Sequence, residues 1–217
     1  MLDKTYARST SLNHHRSDVY TPNIYFQKKT EALGRTGLGL EYGEERINST
    51  VLGKYNRSHK SIFMDDSKDL TPKLSLGLSS RMDDYDGFGQ AYAGSLNFRY
   101  KISDEYSLHS GISRSIRIPV FHELYYNDST TTGNAGLSCE KSLNYESGLD
   151  YKKERFSTGT TFFLRQEEDS IDWIKRTPTQ SKWQAENITE AEVFGIENYL
   201  KLKLNEYVTL DSNYSYI

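Results

Sequence analysis

The residue types that can do chemistry crowd together in Arg114–Leu137, RSIRIPVFHELYYNDSTTTGNAGL. Arg117 and Glu123 can pair there, and a partly buried ion pair fixes geometry more reliably than it adds stability. Pro119, between them, cannot donate to a β-ladder and ends any strand that reaches it. His122 is a lone imidazole; axial ligation of a haem iron needs only one, together with a shaped pocket. Tyr125 and Tyr126 each join an apolar body to a hydroxyl, which suits either a membrane interface or a wet mouth. Trp173 and Trp183 flank a polar loop, Lys175 to Lys182, where an indole can stack on a ligand or sit at an interface. Asp65, Asp66, Asp83, Asp84 and Asp86 offer hard oxygen ligands of the kind calcium takes, although acidic loop clusters are commonly just solvated. His14 and His15 read as a solvated tail. No GxSxG, HExxH or lysine-containing phosphate loop occurs, so neither an enzyme nor a cofactor is expected.

The elements that must hold these groups follow from composition and period. Of 217 residues, 35% are hydrophobic and 13% aromatic, with 17 Tyr against 9 Phe and 2 Trp. So many aromatics argue against disorder. No run approaches the ~18 apolar residues of a spanning helix, whereas a membrane barrel buries only every second side chain and keeps its mean hydropathy low. A net charge of −3 gives no basic excess for nucleic acid, and the single Cys139 excludes an intrachain disulfide. The N-terminus, MLDKTYARSTSLNHHRSD, carries no apolar leader, so the chain is expected either to stay in the cytoplasm or to lack its true start.

Alternation of period two recurs throughout. Tyr92, Leu96, Phe98, Tyr100 and Ile102 alternate with Ala93, Ser95, Asn97, Arg99 and Lys101, and Tyr106, Leu108, Ile112 and Ile116 alternate with Ser107, His109, Ser113 and Ser115. The pattern predicts about ten strands and no helix. Tight turns are expected near Glu31–Leu33, Ser67–Asp69, Ser103–Glu105, Lys152–Arg155 and Asn205–Glu206. Longer polar loops are expected near 44–59, 83–90, 117–139 and 167–186. Short turns at one end and long loops at the other are the layout of an outer-membrane barrel. A tilted ten-residue strand covers about 23 Å, close to the ~25 Å apolar band of such barrels. A soluble all-β sandwich, such as a carbohydrate-binding or adhesin domain, would alternate in the same way with its apolar stripe turned to a core.

One family fits the residues themselves. SIRIPVFHELYYNDSTTTGNAGLSCEKSLNYESGLDY resembles the barrel of TonB-dependent outer-membrane receptors, in which R-x-P-x-F-x-E-L-Y-Y leads through a Gly-Asn loop to a strand L-x-P-E-x-S-x-x-Y-E-x-G-L. The matching positions are Arg117, Pro119, Phe121, Glu123, Leu124, Tyr125, Tyr126, Gly133, Asn134, Leu137, Glu140, Ser142, Tyr145, Glu146, Gly148 and Leu149. Ala135 and Cys139 stand where the family often has proline, which should loosen the loop without changing the topology. The resemblance implies a 22-stranded transmembrane β-barrel with short periplasmic turns and long extracellular loops, plugged by an N-terminal domain. Residues 1–217 would supply about ten of those strands, without the plug and the terminal strands. It further implies active import across the outer membrane of an iron-siderophore, cobalamin or similar metal-bearing nutrient, energised through TonB contacting the plug, with outer-membrane lipid as the other partner. His122 lies where haem-importing relatives place a ligand, and cobalamin-importing relatives use loop calcium, for which Asp83, Asp84 and Asp86 are the candidates. His122, Tyr125, Tyr126, Trp173 and Trp183 are the candidate ligand contacts.

Overall fold

The computed structural model describes residues 13–217 and consists almost wholly of one sheet. In chain order its elements are β1 (His15–Tyr20), β2 (Asn23–Thr30), β3 (Gly34–Ser49), β4 (Gly53–Asp69), β5 (Leu74–Tyr85), β6 (Gly89–Lys101), β7 (Tyr106–Arg117), α1 (Phe121–Tyr125), β8 (Thr131–Thr132), β9 (Glu140–Lys153), β10 (Phe156–Ile174), β11 (Trp183–Lys203) and β12 (Thr209–Tyr216). The sheet runs β1-β3-β4-β5-β6-β7-β9-β10-β11-β12, with β2 also on β3 and the short β8 parallel to β11. β1 and β2 hold a single register on β3, Tyr20 opposite Glu44 and Asn23 opposite Glu41. They are one stave, broken at Thr21-Pro22. The Pro22 carbonyl accepts the Tyr42 amide at 3.1 Å, but proline has no N–H to return. With that stave counted once, the anticipated ten strands are the ten positions of this order. Residues 1–12, the greater part of the segment without an apolar leader, lie outside the described residues.

Three expectations are corrected. The segments near 44–59 and 83–90 are not loops: β3 and β4 are joined by Thr50–Leu52 alone, and β5 and β6 by Asp86–Phe88, while the loop expected near 167–186 shrinks to residues 175–182, because β10 runs to Ile174 and β11 starts at Trp183. Ladder bonds join backbone groups whatever the side chains, so polar residues prolong a hairpin beyond the apolar band, as Arg46 and Asn56 do across β3 and β4. Ser67–Asp69 lies inside β4, and the turn follows at Leu70–Lys73. The region expected to contain no helix holds α1, a single helical turn after Pro119.

One face of the sheet is apolar and bare. Cross-strand pairs bring Leu40 to Ile62, Leu76 to Phe98, Leu108 to Leu149 and Phe162 to Ile196. Ile24 is 78% exposed, Leu40 60% and Phe194 63%, so among the described residues no second layer covers the stripe and the sandwich reading loses its core. The stripe also slides. The row of paired residues through Leu38, Met64, Ser80, Gly94 and Arg114 continues to Leu143, Gln166 and Glu192, while the apolar residues of β10 and β11, Phe162, Leu164, Phe194 and Ile196, sit nearer the short turns. A band that stays level while the register climbs means tilted strands, as barrel geometry requires.

The opposite face is polar but not empty. Where β3, β9 and β11 place glycines, aromatic and imidazole rings of the facing residue lie across them: Phe63 over Gly39, His59 over Gly43, His109 over Gly148 and Phe163 over Gly195. The sequence pattern assigns this face to water alone; the rings on it fill the gaps that the glycines leave.

Candidate functional site

The excursion between β7 and β9 begins at an ion-pair knot. Arg117, last in β7, faces Glu140, first in β9. Its guanidinium donates to Glu140 Oε1 at 2.6 Å and to both Glu123 oxygens at 3.0 Å. Glu123 also accepts the Val120 amide at 2.8 Å, and Glu140 that of Ile171 at 2.6 Å. Four segments therefore converge on one cation, and a fork of fixed geometry suits that role. The anticipated Arg117–Glu123 pair is present, with Glu140 as a second acceptor. Pro119 is fully buried, and the strand has ended at Arg117.

Beyond the knot the loop folds on its own small core of Leu124, Leu137 and Ala185, with Phe88, Tyr125, Ile171 and Trp173 packed on it. Gly133 is required sterically, because a Cβ would stand 2.7 Å from the Glu123 carbonyl oxygen and 2.9 Å from backbone atoms of Leu124 and Tyr125. The Asn134 amide donates to Glu123 O at 2.8 Å, and its side chain accepts from Gly136 at 2.9 Å. Asn187 ties the far end, receiving the Ser138 amide at 2.8 Å and donating to Asp169 O at 2.6 Å. These bonds hold the loop without prolines at Ala135 and Cys139. Burial pushes the Cys139 thiol up from its ordinary value. In β9, Tyr145 belongs to the apolar face, while Glu146 lies beside Gly111 on the polar one.

The candidate contacts separate. His122 stacks on Tyr126 at 4.3 Å between ring centroids and meets Trp173 edge-on at 5.5 Å. Tyr126 hands its hydroxyl to Asp128 at 2.9 Å, which raises the phenol above its ordinary value. Asp128 is held at about 2 by the Thr130 amide first, with the Tyr126 hydroxyl and Thr131 amide adding to it. Tyr125 lies instead on Tyr55 of β4, centroids 3.6 Å apart and 7° from parallel. Trp173 is packed into the loop core, whereas Trp183 is 47% exposed with Lys175 over its ring. The three aspartates proposed for calcium are not brought together. Asp83 is buried on the polar face, accepting from Arg81 at 2.9 Å and from Ser61, and Asp84 points to the other face. Among the described residues no three His, Cys, Asp or Glu converge as a metal site. Asp65 and Asp66 are taken by Tyr25 at 2.8 Å and Thr36 at 2.6 Å. His14 caps the β3–β4 turn, its amide on Thr50.

Two polar lattices escaped the sequence reading. Glu41, His59, Ser61, Arg81 and Asp83 join β3, β4 and β5, with Arg81 on Glu41 at 2.6 Å. Asp150 gathers His109 at 3.0 Å, Arg99 at 3.2 Å and Tyr199 at 3.2 Å, and His109 reaches Thr161 at 3.1 Å, so one carboxylate stitches β6, β7, β9, β10 and β11. Their only sequence signal is parity: every one of these residues falls on the wet side of its strand. The excursion gathers aromatic rings, hydroxyls and an imidazole, most of them engaged with one another.

Comparison with known proteins agrees with this architecture. Residues 3–217 match the family described as TonB dependent receptor-like, beta-barrel. The chain is 23% identical to the ferrienterobactin receptor of Escherichia coli K12, over 100% of this chain and 31% of that protein. It is 26% identical to the ferric enterobactin receptor of Pseudomonas aeruginosa, over 72% of the chain and 24% of the relative, and 26% identical to the vitamin B12 transporter BtuB of Photobacterium profundum, over 74% and 27%. The crystal structure of the siderophore receptor PirA from P. aeruginosa superposes with a TM-score of 0.80 at 22% identity, over 93% of this chain and 43% of that one. The chain thus spans about a quarter to a third of the length of the curated relatives it matches. On the match across residues 3–217, together with the tilted, one-sided sheet and its knotted excursion, this chain belongs to the β-barrel family of TonB-dependent receptors of the outer membrane.

Proposed function

We propose that this chain is part of the wall and mouth of a receptor that imports an iron-siderophore, cobalamin or a similar metal-bearing nutrient, energised through TonB acting on a plug domain. The observation that carries the reading is the pairing of a bare apolar band on one face with a polar, crosslinked face on the other, closed at one end by an ordered external excursion. Lipid is the partner of the first face. The second would line the lumen around the plug. Relatives named for ferric enterobactin and for vitamin B12 support this substrate range. The role has no catalytic step and needs no nucleic acid.

The test is uptake by the complete receptor in a Gram-negative host without its own enterobactin and cobalamin receptors. Accumulation of radiolabelled ferric enterobactin or cyanocobalamin, abolished when TonB is deleted, is the expected result. Accumulation of neither, or uptake that survives loss of TonB, would count against the proposal.

A further inference from the structure

Arg57 on β4 is buried, at 8% exposure, though nothing in its sequence neighbourhood, KYNRSHK, marks it. Its Nη2 donates to Glu45 Oε2 at 2.6 Å, directly across the ladder. Its Nη1 donates to the carbonyl of Pro119, 62 residues away, at 2.8 Å. The guanidinium carbon lies 5.1 Å from the Phe121 ring centroid and 5.9 Å from that of Phe88. Two residues back on the same face of β4, Tyr55 carries Tyr125. The end of β7 is separated from β4 by β5 and β6, so α1 reaches Arg57 and Tyr55 only by crossing the concave, polar side of the sheet.

Arg57 Nε is the only buried side-chain nitrogen or oxygen without a hydrogen-bond partner among the described residues. An unmet buried donor in a native fold calls for a reason. Fold stability alone supplies a weak one, because the excursion is already tied by Arg117, by Asn187 and by the β8–β11 pairing. What Arg57 adds is the location of the first turn of α1. That turn carries Phe121, His122 and Tyr125, and leads into Tyr126.

We propose that Arg57, braced by Glu45, is a positioning residue that latches α1 across the mouth through its Phe121 and Tyr125 side and so presents the opposite side, His122 and Tyr126, to the ligand. This rests on the import reading above. A mouth docked only part of the time would bind with an affinity reduced by the docked fraction.

The experiment uses the complete receptor in outer-membrane vesicles, with a nitroxide on S129C in a C139S background. In otherwise native receptor the label is immobilised. Arg57→Met frees it, Arg57→Lys restores it partly because one ammonium cannot replace a two-armed fork, and Glu45→Gln gives a smaller release. Glu45→Gln also serves if Arg57→Met fails to assemble, judged by heat-modifiable migration in gels. The apparent Kd for ferric enterobactin or cyanocobalamin, whichever the receptor takes up, weakens roughly tenfold in Arg57→Met if about a tenth of the mouths stay docked, while uptake at saturating ligand changes little. A label equally immobile in all variants overturns the latch. A freed label with unchanged Kd overturns its role in capture. If native receptor captures neither probe, the import reading falls, and the label comparison alone decides whether Arg57 holds α1.

Discussion

At the scale of single residues, the excursion is governed by charged groups whose partners are mostly backbone. Asp128 accepts two amides and a phenol, which holds it at about 2 against an ordinary 3.8. Because the folded value is the lower one, the tie is fully present above about pH 4 and is lost as pH falls through about 2. Protection of the Thr130 and Thr131 amides from exchange, relative to the unstructured rate at the same pH, should therefore fall across that window in the native receptor, and unchanged protection there would contradict the assignment. Arg117→Met should cost about 1–2 kcal/mol, since hydrogen bonds to charged groups carry roughly 1.5–3 kcal/mol and its 42% side-chain exposure screens part of that. Urea unfolding in lipid vesicles measures it. The sequence made Arg117 and Glu123 legible as a pair, because they flank a proline within one short motif. Glu140 as the second acceptor, and Arg57 as a holder of Pro119, were not legible: a side chain meets partners that the fold delivers, and a sequence separation of 62 leaves no trace in local spacing.

At the scale of elements, parity does most of the work. A strand places neighbouring residues on opposite faces, so Leu96 and Asn97 should respond in opposite ways to the same substitution. Leu96→Arg should lower folding free energy in bilayers by about 2–4 kcal/mol, the cost of a cation at mid-depth on a lipid face, while Asn97→Arg should be nearly neutral. Equal effects at the two sites would remove the lipid from the account. Gly148→Val should also destabilise, by roughly 1–3 kcal/mol, because its Cβ would sit 2.5 Å from both the Thr160 carbonyl and the His109 ring. Reverting the crowding with His109→Ala in the same chain should recover only part, since the carbonyl remains. Strand faces were readable in advance, but strand ends above the membrane were not. Residues 44–49 and 54–59 look like a loop by composition, yet they pair because backbone groups pair irrespective of polarity.

At the scale of the molecule, the sheet is open among the described residues: β1 and β2 bond to β3 alone and β12 to β11 alone. Unpaired edges cannot face lipid, where each unmet backbone group costs several kcal/mol. The 217-residue chain expressed by itself should aggregate or remain in inclusion bodies rather than insert. Discrete conductance steps from that chain alone in a planar bilayer would show that it closes a pore of its own.

What the sequence determined by itself was the all-β class, the two-faced strands, most of the short turns, the one long excursion after Arg117, and the motif from Arg117 to Gly148, because period two and turn chemistry are local properties of the chain. What only the tertiary structure decided was which stretches of polar composition are strand, how far the apolar band slides against the register, and which side chains meet across three or more strands. Tilt and curvature set those, and both arise from the twisting together of many paired strands rather than from any one of them.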